Sequence, residues 1–198
     1  MRLQLNKYCA NGICNSIRQT VLTRLPCVRP IGFSIDGATV ISINDSVEED
    51  MTEFISSVSA GNFYCREDTD SIIECSVSVD GVLKLSDLCK ANPNLVLIGE
   101  DRCVLHTLSP ISVTVLFRYD SGTNSVADNT EFLSKNGFPN AIAICSRHSY
   151  VTAATFQLIE TQGNDSIMEL SVKSVLEEDG DVLIKQAISI LKSDFMNL

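Results

Sequence analysis

The stretch Asn11-Gly12-Ile13-Cys14-Asn15-Ser16-Ile17-Arg18-Gln19-Thr20-Val21-Leu22-Thr23-Arg24-Leu25-Pro26 decides how this chain is read. Ile13, Ile17, Val21 and Leu25 recur every four residues and Leu22 widens the stripe, which predicts a helix with one buried face. Arg18 and Arg24 fall off that stripe. Pro26 has no amide hydrogen to continue the ladder, so the helix stops there. Asn15 stands out, because an amide in mid-helix competes for backbone hydrogen bonds.

Downstream, Ile31, Phe33 and Ile35 alternate as a half-buried strand, Asp36-Gly37 turns it, and Thr39-Val40-Ile41-Ser42-Ile43 returns. Ser46-Val47-Glu48-Glu49 reads as a capping box, with Ser46 at N-cap and Glu49 at N3. The helix it opens would bury Met51, Phe54, Ile55 and Val58. Strands are expected over 71–79, at Leu95-Val96-Leu97-Ile98, over 103–108 and over 111–119, with turns at Asp80-Gly81 and Asn92-Pro93-Asn94 and a loop over 120–125. The segments 150–160 and 167–172 pair naturally across Gln162-Gly163-Asn164-Asp165. A last helix follows Asp179-Gly180-Asp181, with Ile184, Ala187, Ile188, Leu191 and Phe195 on one face and Leu183 and Ile190 extending it sideways. A helix apolar over so much of its circumference has two neighbours.

The order of these elements is specific. Asn15-Ser16-Ile17-Arg18, Leu25-Pro26, Ile35-Asp36-Gly37 and Val47-Glu48-Glu49-Asp50 together resemble the amino-terminal assembly domain of the alpha subunit of multisubunit DNA-directed RNA polymerases, of the bacterial or plastid type. The likeness is dense over residues 11–58 and recurs in the middle and at the end. Gln19 stands where the family has a second arginine, and Cys14 where it has a glycine. The amino-terminal strand is shortened to Leu3-Gln4-Leu5, and no counterpart of the family's carboxy-terminal DNA- and activator-binding domain is expected. Such trimming suits an organellar, viral or phage homologue, or one half of a heterodimer.

The resemblance implies an α+β fold. A dimerisation domain of antiparallel sheet with two or three helices (1–58 and 147–198) would be interrupted by an inserted, mainly β domain (59–146). It also implies a scaffold role with the catalytic chemistry on other subunits. The chain would dimerise with itself or with a second alpha-like chain through Ile13, Ile17, Val21, Leu25, Ile184, Ile188, Leu191 and Phe195. Beta-like and beta-prime-like subunits would dock at Asn15, Arg18, Gln19 and Leu22.

Composition agrees with that class. A net charge of −10 over 198 residues argues against an autonomous nucleic-acid binder, which needs basic surface to displace counterions. The first fifty residues are neutral and the rest carries the acidic excess. No apolar run is long enough to span a bilayer, and no targeting segment is expected at the start. The eight cysteines include no C-x-x-C pair and read as reduced, buried thiols used as small hydrophobes. A reducing compartment follows, and the resemblance implies which kind: a bacterial-type cytoplasm, a plastid- or apicoplast-like organelle, or a virus-infected cell.

No Gly-rich phosphate loop is present, and neither histidine has a nucleophile with an orienting acid, so no catalytic residue, cofactor or metal is assigned. A zinc site would need cysteines converging from remote segments. Cys145 and His148 make at most half of one, and His106 reads as a strand residue. Asp36, Asp45 and Glu48-Glu49-Asp50 are explained by turns and capping. Two other readings remain open: an acidic interaction module unrelated to transcription, and a thiol-based redox or metal enzyme.

Overall fold

A computed structural model of the chain describes residues 1–35, 46–66, 72–176 and 179–197. The expected turn at Asp36-Gly37, the return strand over 39–43, Asp45 and Ser71 lie outside the described residues. In chain order the first elements are β1 (Arg2–Asn6), α1 (Ala10–Thr23), β2 (Cys27–Ile35), α2 (Met51–Ser59), β3 (Asn62–Cys65) and β4 (Ile73–Val79). There follow β5 (Val82–Lys84), α3 (Leu85–Ala91), β6 (Leu95–Ile98), β7 (Cys103–His106), β8 (Ile111–Asp120) and β9 (Gly122–Asn124). The last are α4 (Val126–Lys135), β10 (Ile142–Ala143), β11 (Ser146–His148), β12 (Val151–Gln162), β13 (Asp165–Ser174) and α5 (Gly180–Met196). The class is α+β, with five helices among the described residues and antiparallel sheets.

The chain divides into two compact units, one of residues 1–26 and 149–198 and the other of residues 27–148. The amino-terminal boundary differs from the sequence expectation, which keeps everything up to residue 58 with the first unit. Strand pairing is the reason. β2 pairs antiparallel with β8 from Cys27↔Asp120 to Ile35↔Val113, with a one-residue bulge between Pro30 and Gly32. Met51, Phe54 and Val58 of α2 bury into the same cluster as Phe33 and Val113. That burial commits the whole segment after Pro26 to the second unit.

In the first unit the sheet order is β1-β13-β12. β13 is central, with Leu3 opposite Met168 and Leu158 opposite the same residue on the other side. Ala10, Cys14, Ile17, Val21 and Leu25 meet Val151, Ala154, Met168 and Leu170 of the sheet and Leu183, Ile184 and Ala187 of α5. The stripe on α1 therefore runs through Cys14, which is fully buried, whereas the expected Ile13 is 38% exposed. Spacings of four, three and four hold a line on a helix of 3.6 residues per turn.

In the second unit, β10-β2-β8-β4 form a four-stranded sheet, beside the ribbons β3-β6, β5-β7 and β11-β9. Edge-to-face ring pairs anchor its core: Phe33 with Phe54 at 5.1 Å and Phe63 with Phe117 at 4.8 Å between centroids. Each such pair is worth about 0.5–1.5 kcal/mol beyond the area it buries. At Gly32 a Cβ would stand 2.6 Å from Leu133 Cδ1 and 3.0 Å from the carbonyl oxygen of Ile142, so only glycine lets α4 and β10 close on β2.

The cap of α2 departs from expectation. Asp50, not Ser46, is its N-cap and accepts from the Glu53 amide at 2.8 Å. Residues 46–48 are held extended instead: Val47 bridges Thr107, Leu108 N donates to Ser46 O, and Glu48 N donates to His106 O. The helix cannot begin until that pairing ends. β9, α4 and β11 have no counterpart among the expected elements.

Candidate functional site

The surface that the sequence singles out lies on α1 and α5 of the first unit. Asn15 and Gln19 are exposed and Leu22 is half-buried. Arg18 is half-buried, and its Nε donates to the carbonyl oxygen of Ala154 on β12 at 2.9 Å. The guanidinium is thus fixed from within its own unit, against the expectation of a residue clear of the core. At the end of the helix the Arg24 fork grips both oxygens of Asp194 on α5, with Nη2 3.2 Å from Oδ1.

Of the residues expected at a dimer seam, Ile17, Val21, Leu25 and Ile184 are 1–4% exposed, and the first unit's own core uses them fully. Ile188 and Leu191 are half-buried against that core. What remains on the surface is Ile13 together with Phe195, 72% exposed, and its neighbour Met196, 78% exposed. Sequence does not separate these classes, because periodicity finds an apolar face without saying how deep each member sits. The same unit exposes Tyr8, Leu158, Ile159 and Val182, none of which the pattern singles out.

The second unit contains a serine–histidine pair, Ser146 Oγ to His148 Nε2 at 3.0 Å. His148 Nδ1 lies 2.9 Å from the carbonyl oxygen of Cys27, an acceptor only, so Nδ1 carries the proton and Ser146 donates to Nε2. Asn129 Nδ2 donates to Ser146 Oγ and to Ile144 O. The ring is fully buried and Ser146 is 6% exposed, so no substrate reaches the hydroxyl. Burial holds His148 below its ordinary value, against an opposing bond to Cys27 and the charge of Asp120. This is a structural chain rather than a nucleophile and its base. Cys145 is exposed, and both ring nitrogens of His148 bond elsewhere, so these two do not combine into even half of a metal site.

The other histidine lies at the surface. His106, at the end of β7, meets Glu49 through two bonds: its main-chain N donates to Oε2 at 2.6 Å, and its Nδ1 bonds Oε1. Cys103 Sγ lies 3.6 Å from Nε2 and 3.7 Å from Nδ1. The three side chains line one cleft of about 330 Å³ with Glu53, Ser56 and Ser57 of α2. Burial pushes Glu49 up, but the bonds and charge of His106 outweigh it and hold the carboxyl below its usual value. The bond to Glu49 and its charge in turn raise His106. Sequence reasoning misses this cluster because it gives Glu49 to a cap that Asp50 supplies.

Comparison of the chain with models of known protein families, and with curated proteins, finds no match in either. Among the described residues no helix is long and apolar enough to cross a membrane.

Proposed function

We propose that the chain is a non-catalytic scaffold subunit of a DNA-directed RNA polymerase, of the alpha amino-terminal type. In this reading the first unit dimerises, with a second copy or with a sister alpha-like chain. The dimer then nucleates binding of the beta-like and beta-prime-like subunits. The observation that carries the reading is the nesting of the chain. Residues 1–26 and 149–198 build one unit around an inserted one, and the ordered motifs of the resemblance open on its first helix. The exposed Phe195 and Met196 at the end of α5, with Ile13 on α1, supply apolar surface for a partner. Arg18 keeps its terminal nitrogens free of the described residues, so its fork can pair with a carboxylate on a docking subunit.

The test is affinity purification of the tagged chain from its native source, with mass spectrometry of what accompanies it. Large polymerase subunits in stoichiometric amount are expected. A dimer that brings none would favour an acidic interaction module outside transcription.

A further inference from the structure

We propose that Glu49, Cys103 and His106 form a zinc site in the second unit, independent of any role in polymerase assembly. The three donors differ in kind (carboxylate, thiol and imidazole) and come from two segments 57 residues apart. One ligand atom from each lies within 4.8 Å of the other two. That combination suits zinc, which takes sulfur, nitrogen and oxygen ligands in tetrahedral array. With bonds of about 2.3 Å to sulfur and 2.0 Å to nitrogen, a tetrahedral edge between the two donors is about 3.5 Å. Cys103 Sγ stands 3.7 Å from His106 Nδ1.

Glu49 is placed for this and for nothing in the helix. Asp50 caps α2, so the carboxylate of Glu49 is free to turn toward β7. Its Oε2 is anchored by the His106 amide, which leaves Oε1 as the movable donor. Zinc takes the place of the proton between Nδ1 and Oε1, and that pair opens to about 3.3 Å by rotation of two surface side chains. The thiol loses its proton as the sulfur–zinc bond forms. Both protons pass to solvent. Three protein ligands leave a fourth position facing the cleft, which a water fills, the pattern of an open rather than a closed zinc site.

The test is titration of the full chain with zinc alone, and with cobalt(II) as a spectroscopic substitute. One equivalent should bind, and cobalt should give a sulfur-to-metal charge-transfer band with the visible intensity of tetrahedral coordination. Cys103→Ala should abolish the charge-transfer band, whereas Cys9→Ala and Cys145→Ala, which remove other exposed thiols, should retain it. His106→Ala and Glu49→Gln should each weaken zinc binding at least tenfold. Circular dichroism of each variant confirms folding, which surface substitutions leave intact. A band that survives in Cys103→Ala, or wild-type protein that binds no zinc, overturns the proposal.

Discussion

Arg18 of α1 holds Ala154 of β12 by a single side-chain bond, Nε to the main-chain oxygen at 2.9 Å, across 136 residues of chain. The bond clamps the opening helix to the outer strand of its sheet, so one residue serves the fold of the first unit and, on the proposed reading, its surface. Arg18→Ala should therefore lower stability by about 1–2 kcal/mol, the range for a partly exposed bond from a charged donor. Urea unfolding measures it. Arg18→Lys should recover little, because an ammonium cannot reproduce the Nε geometry. If either variant loses co-purifying large subunits while its dimer persists, Arg18 acts in docking as well.

Phe195 tests association without disturbing the core. Because the ring is largely exposed, Phe195→Glu should change protomer stability by less than about 0.5 kcal/mol. If the end of α5 lies in the seam, the substitution should weaken self-association at least tenfold in sedimentation equilibrium. Ile188→Glu, at a half-buried position, should instead destabilise the protomer as well as any dimer. An unchanged association constant in Phe195→Glu would remove this end of the helix from the interface.

Joining residues 26 and 149 by a short Gly/Ser linker should leave the first unit folded. Among the described residues, the three strands of its sheet and its two helices lie outside the excised segment. Ser149 Oγ already reaches the carbonyl oxygen of Leu22 at 3.1 Å, so the chain ends at the cut are close. Native-like circular dichroism and a cooperative thermal transition are expected. A disordered product would mean that the unit needs its insert.

The two histidines oppose each other in pH dependence. His148 is depressed, so below its unfolded value near 6.5 the unfolded chain takes up a proton that the folded one refuses, and stability is lost as pH falls. His106 is raised, so its contribution is complete below 6.5 and is lost as pH rises through its folded value. Glu49 and Asp120 titrate below their ordinary values of 4.5 and 3.8 and stay ionised throughout this window. Acidification from pH 7 to 5 should therefore destabilise His106→Gln more steeply than wild type. Equal slopes in urea midpoints against pH would show that Glu49 does not stabilise the imidazolium.

Thiol labelling should separate the cysteines by depth. Against the expectation of buried thiols, Cys9, Cys103 and Cys145 are exposed and should react at neutral pH in the native protein. Burial pushes Cys27 and Cys89 up to about 11 and Cys75 up to about 12, so these stay protonated and slow. Cys14 and Cys65 are buried as well. Three fast thiols out of eight are expected, the rest appearing on unfolding. Added zinc should protect Cys103 alone.

How far the sequence can be read follows from what periodicity measures. α1, α2, α5, β8, β12 and β13 are all legible, because long apolar patterns carry the signal. The finer register is not. A repeat of strict fours, Ile13-Ile17-Val21-Leu25, drifts about 40° per step around an α-helix. Ile17, Val21 and Leu25 are buried as the repeat expects, but toward the start of the helix burial passes to Cys14 and Ala10 and leaves Ile13 outside. α4 escapes because it buries only Leu133 and Asn129, the latter a polar side chain whose amide is satisfied by Ile144 and Ser146 from distant sequence. The Glu49–His106 pair escapes for the same reason: contact across β-pairing leaves no periodic trace.

The nesting of the two units also sets an order of events during synthesis. β1 and α1 leave the ribosome before the other described elements, yet among the described residues β1 pairs only with β13, and the apolar stripe of α1 is covered by β12, β13 and α5. Residues 27–148 can complete their own core while the nascent amino-terminal helix still waits for strands that have not been made. Until the closing segment from residue 149 onward emerges, Ile17, Val21 and Leu25 have no native cover, and that interval is when a chaperone, or an early partner, would find them.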